Sequence, residues 1–357
     1  MIQQIAKDDM PTAQRTANDS TERKPTITDV ARVAKVAVGT VSRVINGQPN
    51  VSEDKRLRVA AAITELGYRP DIVARSMRSN RTMTFGCVMR DFTVPVLAMF
   101  VDAMQREVDA FGFSLLVASS YHDLRREVAL LAGFKQRRID GLVIATSSET
   151  DPLLLETLAQ ADFPLVLIDR ELPARADSVC VNHAAGTVQA VNYLLDIGHR
   201  RIAIISGEPD VHPTTSRLEA FASALRARGV AFQPDMARIG SFGTDAGYGE
   251  TRRLLDGANR PTAVIAGGTA LLPGVIRATR ELGLTIPRDV SVIAGADSDV
   301  AQLAAPPFTV VRWSHDELGK AAGRFLIERR AQPMLPPQRM SVDAELVVRG
   351  SCAPPTA

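Results

Sequence analysis

The sequence predicts a small all-α unit near its start, followed by an α/β core made of two similar lobes. Three observations carry this. Between Ile27 and Leu66 apolar residues recur at spacings of three and four, the period of helices packed on one face. From Thr84 onward, short apolar runs of strand length alternate with amphipathic stretches of helical length, the rhythm of βαβ units and a parallel sheet covered on both faces. That rhythm restarts at residue 201 with RIAIIS, so a second lobe follows the first. At 357 residues the chain also exceeds the usual size of one core.

In the α-helical unit, Thr26 is placed to cap a helix from Ile27 to about Lys35, with Asp29 in the first turn favouring the positive end of the helix dipole. Ile27, Val30, Ala31 and Ala34 form its inner face. Val36-Ala37 leaves room only for a tight turn before a second helix, about Val38 to Asn46, which buries Val41, Val44 and Ile45 and ends at Gly47. A third starts at Ser52 with Glu53 and Asp54 in its first turn, buries Val59, Ile63 and Leu66, and stops at Gly67. Periodicity alone allows any small helical domain here. Charge is more specific: residues 24–81 hold eleven Lys/Arg against five Asp/Glu in a chain of net charge +2, as expected of a segment that meets a polyanion. A solvated charged face would look the same.

The residue pattern goes further. ITDVARVAKVAVGTVSRVING followed by VSEDKRLRVAAAITELGYRP closely resembles the helix-turn-helix headpiece of the LacI/GalR family of transcriptional regulators over about fifty consecutive residues. The resemblance implies that the second helix enters the major groove, with Val38, Gly39 and Arg43 towards base edges and Thr40 and Ser42 nearer phosphate; Thr28, Asn46 and Arg75 complete the implied contacts. Arg43 has the planar fork for a bidentate bond to guanine. DIVARSMRSNRT, from Asp71, resembles the family hinge, a helix too short to be stable in water without a partner. Met77 stands there where relatives place Leu, the side chain that wedges into a minor-groove step. The expected organisation is a disordered tail at 1–24, the headpiece at 25–70, a hinge helix at 71–81, the two-lobed domain at 82–350 and a tail at 351–357.

In the core, TFGCVM, FSLLVA, IDGLVIA, PLVLID and SVCVN read as strands of the first lobe, with helices near 96–110, 124–135 and 151–160. RIAIIS, TAVIA and VSVIA read as strands of the second, with helices near 184–197, 215–228, 246–255 and 270–281. VLIDR, IGHRRIAIISG, SRLEAF, RPTAVIAGG and GLTIPRDVSVIA resemble blocks of the LacI/GalR core, whose two Rossmann-like lobes are themselves like periplasmic sugar-binding proteins. Three chain crossings are implied, giving a first lobe of about 82–182 plus 312–334 and a second of about 183–311 plus 335–350. A ligand belongs between the lobes, at the carboxyl ends of the strands.

The chain departs from the family where relatives hold their effector: Val94-Pro95-Val96-Leu97, Gly267-Gly268-Thr269 and Ala296-Asp297-Ser298 replace more polar blocks. Arg217 matches a position that binds effector hydroxyls or carboxylates, and Phe242 an aromatic that stacks on the ligand; a salt bridge and simple core packing are the alternatives for them. The implied effector set is Asp91, Arg217, Phe242, Thr269 and Asp297, and the implied ligand a sugar or sugar acid, tilted towards the acid. Trp313 suits core or ligand equally.

No apolar run is long enough to span a bilayer, and residues 1–24 lack the apolar region of a signal peptide, so a cytoplasmic protein without membrane contact is expected. Cys87, Cys180 and Cys352 have no metal-ligand spacing and read as small apolar residues. His122, His183, His199, His212 and His315 are scattered and read as surface or core residues. No phosphate-binding loop, dinucleotide fingerprint or nucleophile elbow is present. The expected protein is therefore no enzyme and has no cofactor or metal: a repressor that binds double-stranded operator DNA as a homodimer and responds to a small molecule. A sugar-binding protein or sugar-metabolising enzyme with an added headpiece is the alternative.

Overall fold

A computed structural model describes residues 25–45, 47–68, 81–92, 95–172, 176–257 and 259–356. The chain divides into two compact units, Met1–Ser79 and Asn80–Ala357. The expected tail at 1–24, the hinge helix except its last residue, and Asn46, Arg75 and Met77 lie outside the described residues.

The first unit has α1 (Ile27–Ala34), α2 (Val38–Ile45) and α3 (Glu53–Leu66) around Val30, Ala31, Ala34, Val41, Val59 and Ala62. Thr26 and Asp29 form a full capping box at α1: the Thr26 side chain accepts from the Asp29 N–H, and the Asp29 carboxylate accepts from the Thr26 N–H at 2.9 Å. Ser52 precedes α3 in extended conformation but makes no side-chain cap bond. Arg56 closes that corner instead, donating to the carbonyls of Val51 and Gln48 at 3.1 and 2.6 Å. Gly67 ends α3 with φ +59, the left-handed turn that a side chain would strain.

The second unit holds two six-stranded sheets. In the first, β1 (Thr84–Met89), β2 (Ser114–Ser119), β3 (Gly141–Ile144), β4 (Leu165–Ile168), β5 (Asp177–Val181) and β11 (Arg339–Val342) run in the order β11-β5-β4-β3-β1-β2, all parallel. In the second, β6 (Ile202–Ser206), β7 (Ala237–Ile239), β8 (Ala263–Ala266), β9 (Ser291–Ala294), β10 (Thr309–Arg312) and β12 (Glu345–Val347) run β12-β10-β9-β8-β6-β7, with only β12 antiparallel. The inner strands β3, β4, β6, β8 and β9 are buried throughout, as strands covered on both faces must be.

Helices α4 (Pro95–Asp109), α5 (Leu124–Gln136) and α6 (Pro152–Ala159) follow strands of the first sheet. The second is served by α7 (His183–Asp196), α8 (His212–Ala227), α9 (Thr244–Leu255), α10 (Leu271–Glu281) and the short α11 (Asp299–Leu303). The long α12 (His315–Ala331) returns the chain to the first lobe and packs on α4. Gly319 and Gly323 make the approach possible: a Cβ at Gly319 would stand 2.4 Å from the Phe100 carbonyl oxygen.

Two boundaries differ from expectation. Arg339–Val342 pairs in parallel with Ser178–Val181, so β11 belongs to the first lobe and the last crossing falls between Val342 and Glu345, not at 334–335. The cause is a buried ion pair: Arg329 of α12 binds both carboxylate oxygens of Asp177 at 2.6 and 3.0 Å, the Gln338 N–H donates to the same carboxylate at 2.7 Å, and the strand after it is laid beside β5. The segment from 351 is no free tail. The Ser351 hydroxyl donates to the Val292 carbonyl and accepts from the Thr309 N–H, while Ala353 exchanges two hydrogen bonds with Ser291. These bonds give a short polar segment the buried partners that its sequence does not reveal.

Candidate nucleic-acid interface and effector cavity

In the headpiece unit, α2 turns Val41 inward and rests Val44 and Ile45 against the core. The helical period then leaves Val38, Gly39 and Arg43 exposed, with Thr40 and Ser42 half-buried. Thr28 is exposed on the first turn of α1. Nothing stands within 4 Å of a Cβ built on Gly39, so that face is open to a partner.

Within the second unit, the carboxyl ends of both sheets converge on a cavity of about 130 Å³. This is small beside the roughly 300–1,000 Å³ of drug-sized sites, and suits a compact ligand. From the first lobe come Arg90 after β1 and Asp169 and Arg170 after β4, and at the crossing into the second lobe stands His183, at the start of α7. Across from them stand Arg217 of α8, Phe242 after β7, and Gly268 and Thr269 after β8. Trp313 and His315 close one side, with the Trp313 ring edge-on to His183 at 5.4 Å.

Three of these residues form a chain. Asp169, held at φ +54, turns its carboxylate back to accept from the Val181 N–H at 3.0 Å and from the His183 Nε2 at 2.7 Å. Arg217 donates to His183 Nδ1 at 2.9 Å, and a guanidinium can only donate, so the imidazole proton sits on Nε2. Burial, reinforced by the Arg217 charge, pushes the His183 pKa down to about 4 against the pull of Asp169. Burial alone would raise the Asp169 pKa, but His183, the Val181 N–H and Arg217 together outweigh it and hold the carboxyl well below its usual range. Burial also lowers the Arg217 pKa, to about 10, and Asp169 opposes that. The result is a neutral imidazole wedged between a carboxylate and a guanidinium, fixing where Arg217 points.

Phe242 is buried against two glycines. A Cβ at Gly207 would lie 2.1 Å from its ring and one at Gly268 2.6 Å, so the ring occupies the space that side chains at those positions would need. The guanidinium carbons of Arg90 and Arg217 stand 5.2 and 6.0 Å from its centroid. Beyond the lining residues, the Asp210 carboxylate accepts from Ser148 and Thr150 at 2.5 and 2.9 Å, and Glu149 accepts from the His212 N–H at 3.0 Å.

The cavity therefore brings together Arg217, Phe242 and Thr269 of the residues named from sequence. Asp297 does not line it: both of its oxygens are held by Arg349, at 2.9 and 2.7 Å, and that pair braces the second lobe. Asp91 is not among the lining residues either, although its charge acts on Arg90 and His122. Sequence reasoning passed over Arg90, Asp169, Arg170, His183 and His315. Their signal was position, since each follows a strand or starts a helix on the cleft side. Asp169, Cys180 and His212 bring possible metal ligands within 4.8 Å of one another. Asp169 is already engaged, however, and burial, with the nearby acids, pushes the Cys180 thiol up to about 12, so the set is poorly prepared for an ion.

A helical unit with one open helix face, and a two-lobed α/β unit with a largely apolar cavity edged by arginines where its strands end, define a DNA-binding regulator with a small-molecule sensor. Comparison with known proteins agrees. Residues 26–71 match the family described as bacterial regulatory proteins, lacI family, and residues 191–352 match the periplasmic binding protein-like domain. The ribose operon repressor of Escherichia coli strain K12 is 35% identical over 327 residues, covering 91% of this chain and 99% of that protein. The transcriptional regulator CelR, solved with cellobiose, is 33% identical with a TM-score of 0.69, over 92% of this chain and 99% of that one. The Lac repressor dimer bound to operator and the anti-inducer ONPF is 25% identical with a TM-score of 0.81, over 93% and 100%. The chain belongs to the LacI family of bacterial regulatory proteins. It is a DNA-binding transcriptional repressor controlled by a small molecule, and the two-lobed fold expected from the sequence is the fold observed. Among the described residues no helix is long and apolar enough to cross a membrane.

Proposed function

We propose that two copies of the chain bind a near-palindromic operator in the cytoplasm through α2 and the segment 71–81, and that a small sugar or sugar acid in the cavity sets their affinity for it. The observation that carries the DNA reading is the exposed set Val38, Gly39 and Arg43 on a helix whose other face is core. One such helix makes too few base contacts to specify a site, and a two-fold dimer meets a two-fold operator. Exposed Met99 on α4 and Leu116 and Val117 on β2 are apolar surface that a second copy can cover. The name of the ribose operon repressor and the cellobiose complex of CelR support a sugar-like effector.

Arg43→Ala and Met77→Ala are each expected to weaken operator binding by about 1–3 kcal/mol, the range for losing one good base contact, and to leave non-specific binding nearly unchanged. Titration of selected and random duplexes checks this. Equal affinity of the parent for both duplexes refutes sequence-specific recognition.

For the cavity, a ligand that shifts operator affinity tenfold to a hundredfold needs only about 1.4–2.8 kcal/mol of preference between lobe arrangements. Arg217→Ala removes the buried fork, so the best ligand of a thermal-shift screen should lose most of its stabilising effect. Unchanged ligand binding in that variant would place the effector elsewhere.

A further inference from the structure

We propose that the ligand of this cavity carries a carboxylate or phosphate, held between Arg90 of the first lobe and Arg217 of the second. This rests on reading the cavity as the effector site and goes on to name the ligand's charge and its second anchor.

The argument is one of charge. Among the described residues, three guanidinium groups, those of Arg90, Arg170 and Arg217, line the cavity, and Asp169 is the only carboxylate that does. Asp169 is committed to Val181 and His183. Arg170 is satisfied by the carbonyls of Thr146 and Asp169, at 2.6 and 2.7 Å, with Glu149 3.8 Å away. Arg217 uses donors on Pro213 and His183 and, with five N–H groups, keeps others for a ligand.

Arg90 is the exception. Its guanidinium lies over Phe242, and no carboxylate of the described residues comes within 4.0 Å of it. Burial lowers its pKa, with Glu208 and Asp91 opposing only as more distant charges. A neutral ligand filling the cavity would desolvate Arg90 further without giving it a partner. An anionic group gives both arginines a directly bonded counter-charge at once, and the planar fork of each suits carboxylate or phosphate oxygens. Because the two arginines belong to different lobes, such a group favours whichever lobe arrangement brings them together, which is the requirement for a regulatory ligand. The opposite wall fits this: Gly207 and Gly268 present Phe242 rather than hydroxyl-binding side chains, leaving Thr269 as the polar group there.

The test is calorimetry and thermal shift on the full chain with inorganic phosphate, malonate, gluconate and ribose 5-phosphate, set against neutral D-glucose and D-ribose at equal millimolar concentration. At least one anion is expected to bind ten times or more tightly than its neutral counterpart. Arg90→Met should abolish that preference and Arg90→Lys retain part of it. Unliganded Arg90→Met should melt no lower than the parent, since no carboxylate of the described residues pairs directly with the charge removed. A neutral sugar that binds as tightly as every anion, anion affinity unchanged by Arg90→Met, or an absence of anion binding across the panel would overturn the proposal. Operator titration separates the two readings. A neutral sugar that shifts operator affinity leaves the effector site standing without the anion, whereas an Arg90-dependent anion that leaves operator affinity unmoved upholds the anion site and removes its regulatory role.

Discussion

Operator affinity is expected to fall about a thousandfold between roughly 50 and 200 mM salt, the slope set by about six neutralised phosphates releasing their counterions. The source is the charge distribution: the eleven Lys/Arg against five Asp/Glu of residues 24–81, in a chain of net charge +2. Lys35 is exposed in this unit, ready to meet a backbone. Arg43→Ala should lower affinity at every salt concentration while changing the slope by at most about one phosphate. Equilibrium titration of one operator duplex across a salt series measures both quantities. A flat response would mean that the basic segment is only a solvated face.

Asp177→Ala is expected to destabilise the two-lobed unit by about 3–5 kcal/mol, because it leaves the buried Arg329 guanidinium without its counter-ion. Asp177 is fully buried and Arg329 is 8% exposed. The same guanidinium donates to the carbonyls of Leu335 and Pro336, so the pair fixes the turn that brings β11 onto the first sheet. In a unit of this size the loss corresponds to a melting temperature lower by on the order of 10 °C. Replacing both partners by apolar residues, Asp177→Leu with Arg329→Met, should recover much of that loss, since no charge is then stranded. Thermal unfolding of the single and double variants decides it. A single variant as stable as the parent would show that water already solvates Arg329.

Much of this protein is determined by local sequence. Apolar spacing places the headpiece helices, and Thr26 with Asp29 and Gly67 set two of their ends, because caps and helical periods act within a few residues. The strand runs TFGCVM and RIAIIS fall on β1 and β6 because a strand buried on both faces must be continuously apolar. Arg217 and Phe242 were legible through their match to family blocks. Tertiary structure decided the rest. β11 has only a four-residue edge run, and its partner strand is about 160 residues earlier in the chain, so its lobe was fixed by Asp177 and Arg329 and not by any pattern around it. Asp297 looked like a ligand group from its place after β9, yet Arg349, 52 residues away, claims both of its oxygens. His183 and Asp169 looked ordinary in sequence and became the support of Arg217 only when the ends of β4 and β5 met the start of α8. Charge balance inside a cavity depends on which groups from distant segments share it, and only the folded chain brings them together.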